Sequence, residues 1–140
     1  MALDLEELEE IRSLLWPGDD YRPVWAAEFL EGLAAKMPDD SRVSGLLACT
    51  LTELGRHEEA LAEDLRTVGL APLDPDAWYN LGCSYSLLER EGEAERAIER
   101  AIELGFGDAG QMEEDDDLAF LRTRPAYARF LTAIRRAAGE

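Results

Sequence analysis

The chain has 140 residues and a mass of 15.6 kDa, enough for one domain that buries its own core, and 46% hydrophobic content argues against disorder despite 32% charged residues. Thirty-one acidic against 14 basic residues leave a formal net charge of -17, which repels phosphate backbones, so no nucleic-acid partner is expected. The charge is uneven: residues 122–140 hold five arginines against Glu140, a tail of +4 on a body of -21.

The opening MALDLEELEE has no basic stretch ahead of an apolar core, so no secretory leader is expected. No apolar run approaches the ~18 residues of a membrane span, which excludes membrane insertion and makes the cytoplasm the expected location. Residues 3–16, LDLEELEEIRSLLW, set Leu5, Leu8, Ile11 and Leu15 on one side against a run of carboxylates, which predicts an amphipathic helix. WPGDDYRP interrupts the pattern, and a second helix is predicted over 23–36, opened by Pro23.

Beyond residue 40 the chain repeats. Segments 41–74 and 75–108 fall into register when Ser41 is laid over Pro75, with Leu47 meeting Leu81, Ala48 meeting Gly82, Cys49 meeting Cys83, Leu51 meeting Tyr85, Ala60 meeting Ala94 and Leu70 meeting Leu104. Inside each unit apolar residues recur at three and four: Leu47, Leu51 and Leu54, then Leu61, Leu65 and Val68; Trp78, Leu81 and Tyr85, then Ala94, Ile98, Ala101 and Ile102. That spacing predicts helix, turn, helix. Gly55 closes the first helix of one unit, and Asp74-Pro75 supplies a cap and a first-turn proline to the next.

Trp78, Leu81, Gly82, Tyr85, Ala94 and Ile98 resemble the tetratricopeptide pattern W-x2-L-G-x2-Y followed by A-x3-F, with Ile for Phe. Segment 75–108 matches strongly, although Phe106 stands where a closing proline is expected. Segment 41–74 keeps Ala48, Ala60 and Pro72 but lacks the aromatics. Segment 7–40 keeps only Ala26 and Pro38 in register, so 1–40 is expected as a helical cap or degenerate repeat. In 109–140, Leu118, Leu121, Arg122, Pro125 and Tyr127 resemble the closing segment of bacterial tetratricopeptide proteins, which covers the last repeat. The resemblance implies one all-α domain over 1–140, a right-handed superhelix of antiparallel pairs with about seven or eight helices. It also accounts for a glycine that would otherwise cost ~1 kcal/mol inside a helix: Gly82 faces the following helix where Ala94 packs.

Motifs for chemistry are missing. The single histidine, His57, opens a predicted helix and reads as solvated, and the H-E-x-x-H pattern fails because position 61 is Leu. EEDDD, residues 113–117, lacks a calcium-loop signature and reads as a charged helix start. GFGDAG, residues 105–110, follows a helix rather than a strand, so its glycines end a helix instead of cradling phosphate. Cys49 and Cys83 share a repeat position on helices ~8–10 Å apart, too far for a disulfide, and read as small packing residues. No catalytic residue, metal or cofactor is expected.

By family register the resemblance implies a concave groove lined by Arg42, Gly45, Cys49, Thr52 and Glu53 in one unit. In the next the lining is Asp76, Tyr79, Asn80, Cys83, Ser86 and Leu87. The expected function is a non-catalytic adaptor, scaffold or chaperone that binds a peptide or helix of another protein there. With Glu53 and Asp76 opposing Arg42 and Asn80, the expected segment is neutral to basic and puts an apolar residue against Tyr79. The alternative is a self-assembling structural protein, a homo-oligomer in which the basic tail of one copy docks on the acidic body of another.

Overall fold

The structure, a computed structural model, describes residues 4–15 and 23–140, so the interruption expected at 16–23 lies outside the described residues except for Pro23. Helix α1 spans Leu5–Leu15, α2 Pro23–Lys36, α3 Ser41–Glu53, α4 His57–Leu70, α5 Pro75–Leu87 and α6 Glu91–Glu103. The C-terminal part holds α7 (Ala109–Glu114), a 3-10 turn (Asp116–Leu118), α8 (Ala119–Arg122) and α9 (Ala126–Ala137). The described residues form no strand, as expected of an all-α array, and both predicted N-terminal helices are present. In α1, Leu8 is buried and Ile11 half-buried, while the side chains of Leu5 and Leu15 lie outside the described ones.

Local chemistry repeats with the sequence. Asp40, Asp74 and Asp108, one repeat apart in turn, cap α3, α5 and α7 by accepting from the backbone N–H of Arg42, Asp76 and Gln111 at 3.0, 3.0 and 2.9 Å. The turn after α3 closes with Arg56 N–H donating to Leu51 O at 2.9 Å, and the turn after α5 repeats it from Arg90 to Tyr85 at 2.9 Å. The left-handed residue in the first turn is Gly55, at φ 76°, but in the second it is Glu89, at φ 57°. A non-glycine residue there carries a strain of ~1–2 kcal/mol.

The most extensive packing is within the pairs α3–α4 and α5–α6, with α2 against α3 and α4 against α5 linking them. Gly82 permits the close approach of α5 and α6: a Cβ placed on it would lie 2.5 Å from Ile98 Cδ1 and 2.8 Å from Ile98 Cγ1. The expected partner, Ala94, contributes its carbonyl oxygen at 3.5 Å, so the contact centres on Ile98, one turn further along. Trp78 and Tyr85 flank it, half-buried, and the indole Nε1–H of Trp78 donates to Pro72 O at 2.8 Å.

The C-terminal segment is more divided than expected, which brings the described residues to nine α-helices and one 3-10 turn rather than seven or eight helices. Asp115, extended at φ -75° and ψ 111°, breaks the chain after α7, and its side chain caps the 3-10 turn through Asp117 N–H at 3.0 Å. The EEDDD run therefore ends one helix and starts the next turn. Leu118 and Leu121 are fully buried beside Ile98 and Phe130, and Arg122 ties the loop by donating to Met112 O at 2.8 Å and Asp115 O at 2.9 Å. This folded-back segment packs on α5 as well as α6.

Candidate functional site

Two adjoining clefts cross the first helices of the two units. One, of about 330 Å³, lies between Leu8 of α1, Gly45 and Leu46 of α3, and Ala77 of α5. The other, of about 240 Å³, is bounded by Glu53 of α3, Asp64 of α4, Ser84 of α5, and Asp115 and Asp117 of the C-terminal segment. Cys49 and Asn80 line both, which joins them into one groove. A depression of about 560 Å³ beside Lys36–Arg42 is lined by that single turn alone, with no second element facing it among the described residues.

Arg42, Gly45, Cys49, Asp76 and Asn80 line the first cleft, and Thr52, Glu53 and Cys83 join Cys49 and Asn80 in the second. The other three expected groove residues do not line either cleft. Tyr79 is 1% exposed: its hydroxyl donates to Asp115 Oδ2 at 2.8 Å, and its ring stacks on Phe106 at 4.3 Å with 7° between planes. Phe106, which departs from the family pattern at the proline position, is thus the aromatic partner of Tyr79. Ser86 is fully buried and accepts from Leu121 N–H at 3.3 Å, while Leu87 is half-buried away from the groove. An apolar contact between a partner and Tyr79 is therefore ruled out, because the C-terminal segment already occupies that surface.

The second cleft is strongly acidic. Asp64 is buried and accepts from Ser84 Oγ; burial first of all, with nearby Glu63 adding, pushes its carboxyl up to about 6 against the hydrogen bond. Asp117 is also raised, by desolvation and by Asp115, with His57 pulling the other way. His57 is consequently not the solvated helix-start residue expected: it is half-buried, and its Nδ1 is enclosed without a hydrogen-bond partner among the described residues. Asp115 is fully engaged by Tyr79, by Asp117 N–H and by the Cys83 thiol at 3.8 Å.

Both cysteines are free thiols, Cys49 exposed and Cys83 buried. Protein atoms crowd the Cys49 sulfur, and desolvation, reinforced by Asp64, Glu53 and Asp117, pushes its pKa up to about 11. Burial and Asp115 raise Cys83 as well. These shifts oppose the activation that a nucleophilic thiol needs. At the other end of the groove the Arg42 guanidinium bonds Asp40 at 3.1 and 2.9 Å, which holds the Asp40 carboxyl below its usual range.

Sequence reasoning missed Asp64 and passed over Asp115 and Asp117. The signal at Asp64 was its phase: it falls on the buried stripe of α4 with Ala60, Leu61, Thr67 and Val68, where a carboxylate needs a reason. Nothing in the EEDDD run shows which aspartates turn inward, since that depends on the fold-back over α5.

The tetratricopeptide repeat model matches residues 75–104. Among solved structures, MamA from Desulfovibrio magneticus RS-1, residue 41 to the end, is 22% identical with a TM-score of 0.72, over 95% of this chain and 75% of that one. A MamA AMB-1 structure is 19% identical with a TM-score of 0.67, over 94% and 69%. A further crystal structure of MamA is 14% identical with a TM-score of 0.65, over the whole of both chains. No curated protein matches the chain by sequence. At these identities the likeness is one of fold, and it extends the helical-repeat architecture beyond the matched segment to nearly the full length. With that repeat at 75–104, caps and turns recurring from unit to unit and helices stacked in pairs, the chain carries a tetratricopeptide repeat within a helical-repeat fold like that of MamA.

Proposed function

We propose that the chain is a non-catalytic interaction module, an adaptor, scaffold or chaperone, that receives a segment of a partner protein in the groove across α3 and α5. The observation that carries this reading is the continuity of the two clefts through Cys49 and Asn80, which offers an elongated surface rather than an isolated hole. Exposed and half-exposed groups line it, among them Asn80 and Thr52, whose side chains hold no hydrogen-bond partner among the described residues. Such groups are satisfied by water in the unbound protein and by partner backbone on binding. The acidic lining favours a neutral-to-basic segment and speeds its association at low salt. Among the described residues no helix is long and apolar enough to cross a membrane.

Self-assembly through the basic C-terminal helix draws less support. Arg122 bonds backbone carbonyls, Arg135 pairs with Glu113, and Arg124 lies 3.8 Å from Glu91, all within one chain. That leaves Arg129 and Arg136 on the exposed side of α9 to meet a second copy.

Selection of a random peptide library on the intact protein tests the groove. Selected peptides should lose binding to Thr52→Trp, which fills the groove, and keep it with Glu99→Trp on exposed α6 surface. Equal binding to both variants would place recognition elsewhere.

A further inference from the structure

The repeat supplies its own template of a covered helix face. Along α5 the face that carries Tyr79, Cys83 and Ser86 is covered by the C-terminal segment: Asp115 accepts from the Tyr79 hydroxyl at 2.8 Å, Leu118 and Leu121 share one core with Tyr79 and Cys83, and Leu121 N–H donates to Ser86 Oγ at 3.3 Å. The covering segment therefore runs in the direction of α5, from Tyr79 to Ser86, a rise of about 10 Å. Along α3 the equivalent places hold Gly45, Cys49 and Thr52. There Cys49 is exposed, Thr52 is half-exposed with its hydroxyl unpaired among the described residues, and a cleft of about 330 Å³ opens over Gly45.

The difference begins with one side chain. Tyr79 brings its own ring to Phe106, whereas a Cβ on Gly45 would meet only Thr67 Cγ2, at 3.9 Å. The space left over Gly45 is walled by Leu8 of α1, Leu46 of α3 and Ala77 of α5, an apolar surface from which water is favourably displaced. The surroundings select the charge of what displaces it. Asp74 and Asp76 stand exposed at the rim, and the Arg42 guanidinium is already bonded to Asp40. Toward Thr52 the groove continues into the second cleft with Glu53 and Asp117, so a segment with acidic residues beside its apolar one is repelled at both ends.

We propose that the cleft over Gly45 receives one large apolar side chain of the partner segment, aromatic or leucine-like, and that the segment continues along α3 toward Thr52 with neutral or basic residues. This rests on the groove reading above and specifies what anchors the segment. The place that the Tyr79 ring takes within the chain in the second unit is filled by the partner in the first. Leu8 gives α1 a part in recognition, because it supplies one wall of the cleft. A single well-enclosed apolar anchor with a polar rim is the arrangement in which one residue carries much of the binding energy.

The test uses the library-selected peptides on the intact chain. They should share one enriched aromatic or large aliphatic position, and alanine there should weaken binding by about tenfold or more. Gly45→Leu grows a side chain into the same space, so it should weaken the peptides by about tenfold and cut their penalty for alanine to about threefold or less. Gly45→Ala should weaken binding by about threefold while raising the thermal melt, opposite signs that a folding defect does not produce, and it keeps the test decisive if the leucine variant folds poorly. Peptides that Thr52→Trp displaces but that show no enriched apolar position, enrich an acidic residue beside it, or bind both Gly45 variants as they bind the parent would overturn the anchor and leave the groove standing. The recovery of no binding peptide would overturn both readings.

Discussion

The two repeat units place equivalent residues in different surroundings. Gly45 lies in the open groove of the first unit, and its counterpart in the second, Tyr79, is buried under the C-terminal segment. Cys49 is exposed where Cys83 is enclosed, and Thr52 is half-exposed where Ser86 is fully buried. Register assigns each pair to one helix face, but what lies over that face decides its role. Over α3 there is a groove; over part of α5 lie the 3-10 turn and α8. The same face is thus open in one unit and covered in the other.

Truncating Tyr79 breaks this contrast most severely. Tyr79→Ala removes the stack on Phe106 and the hydroxyl bond to Asp115, and should cost about 3–5 kcal/mol in urea unfolding. A loss under about 1 kcal/mol would return Tyr79 to the groove. Gly82→Leu comes next. Its first added atom already overlaps the side chain of Ile98, which is fully buried, so a loss of up to roughly 3 kcal/mol is expected. Ala48 is buried at the equivalent place in the first unit, and the double variant with Ile98→Val should recover part of the loss if Ile98 is the obstacle.

Asp64 sharpens the comparison through pH. Its folded pKa, about 6, exceeds the ordinary 3.8, so the folded chain binds the extra proton and stability rises as pH falls from 7 through 6 toward 4. The shift corresponds to about 3 kcal/mol across that window. Asp117 acts in the same direction, and Asp40, held low by Arg42, opposes it only below 3.8. Asp64 faces Ser84 and Cys83 of α5, Cys49 of α3, Glu63 of its own helix and Asp117 of the 3-10 turn, with no described cation among them. Asp64→Asn should flatten most of the rise in chemical-denaturation midpoint between pH 7 and 4; an unchanged slope would place the titration elsewhere. The smallest effect belongs to Gly45→Ala. A Cβ there meets only Thr67 Cγ2, at an ordinary 3.9 Å, so the gain in helix propensity should stabilise the chain by about 0.5–1 kcal/mol. A loss instead would show that the first-unit groove is as tightly filled as the second.

Sequence alone determined the elements and their phase. Apolar spacing, the Asp74-Pro75 start and the Gly55 stop are local signals, since each acts within a turn or two of the chain, and the repeat register carried them from one unit to the next. That is why α2 through α6 were legible in advance and why most expected groove residues line the clefts. Tertiary structure decided exposure and charge. Tyr79 became core and Asp115 became a hub because a segment from beyond α6 folds back over α5, and Asp64 became a buried acid where α4 packs on Ser84 of α5. Burial and desolvation depend on everything within a few ångströms, including residues remote in the chain, and no local pattern around Tyr79 or Asp64 encodes which of those neighbours will arrive.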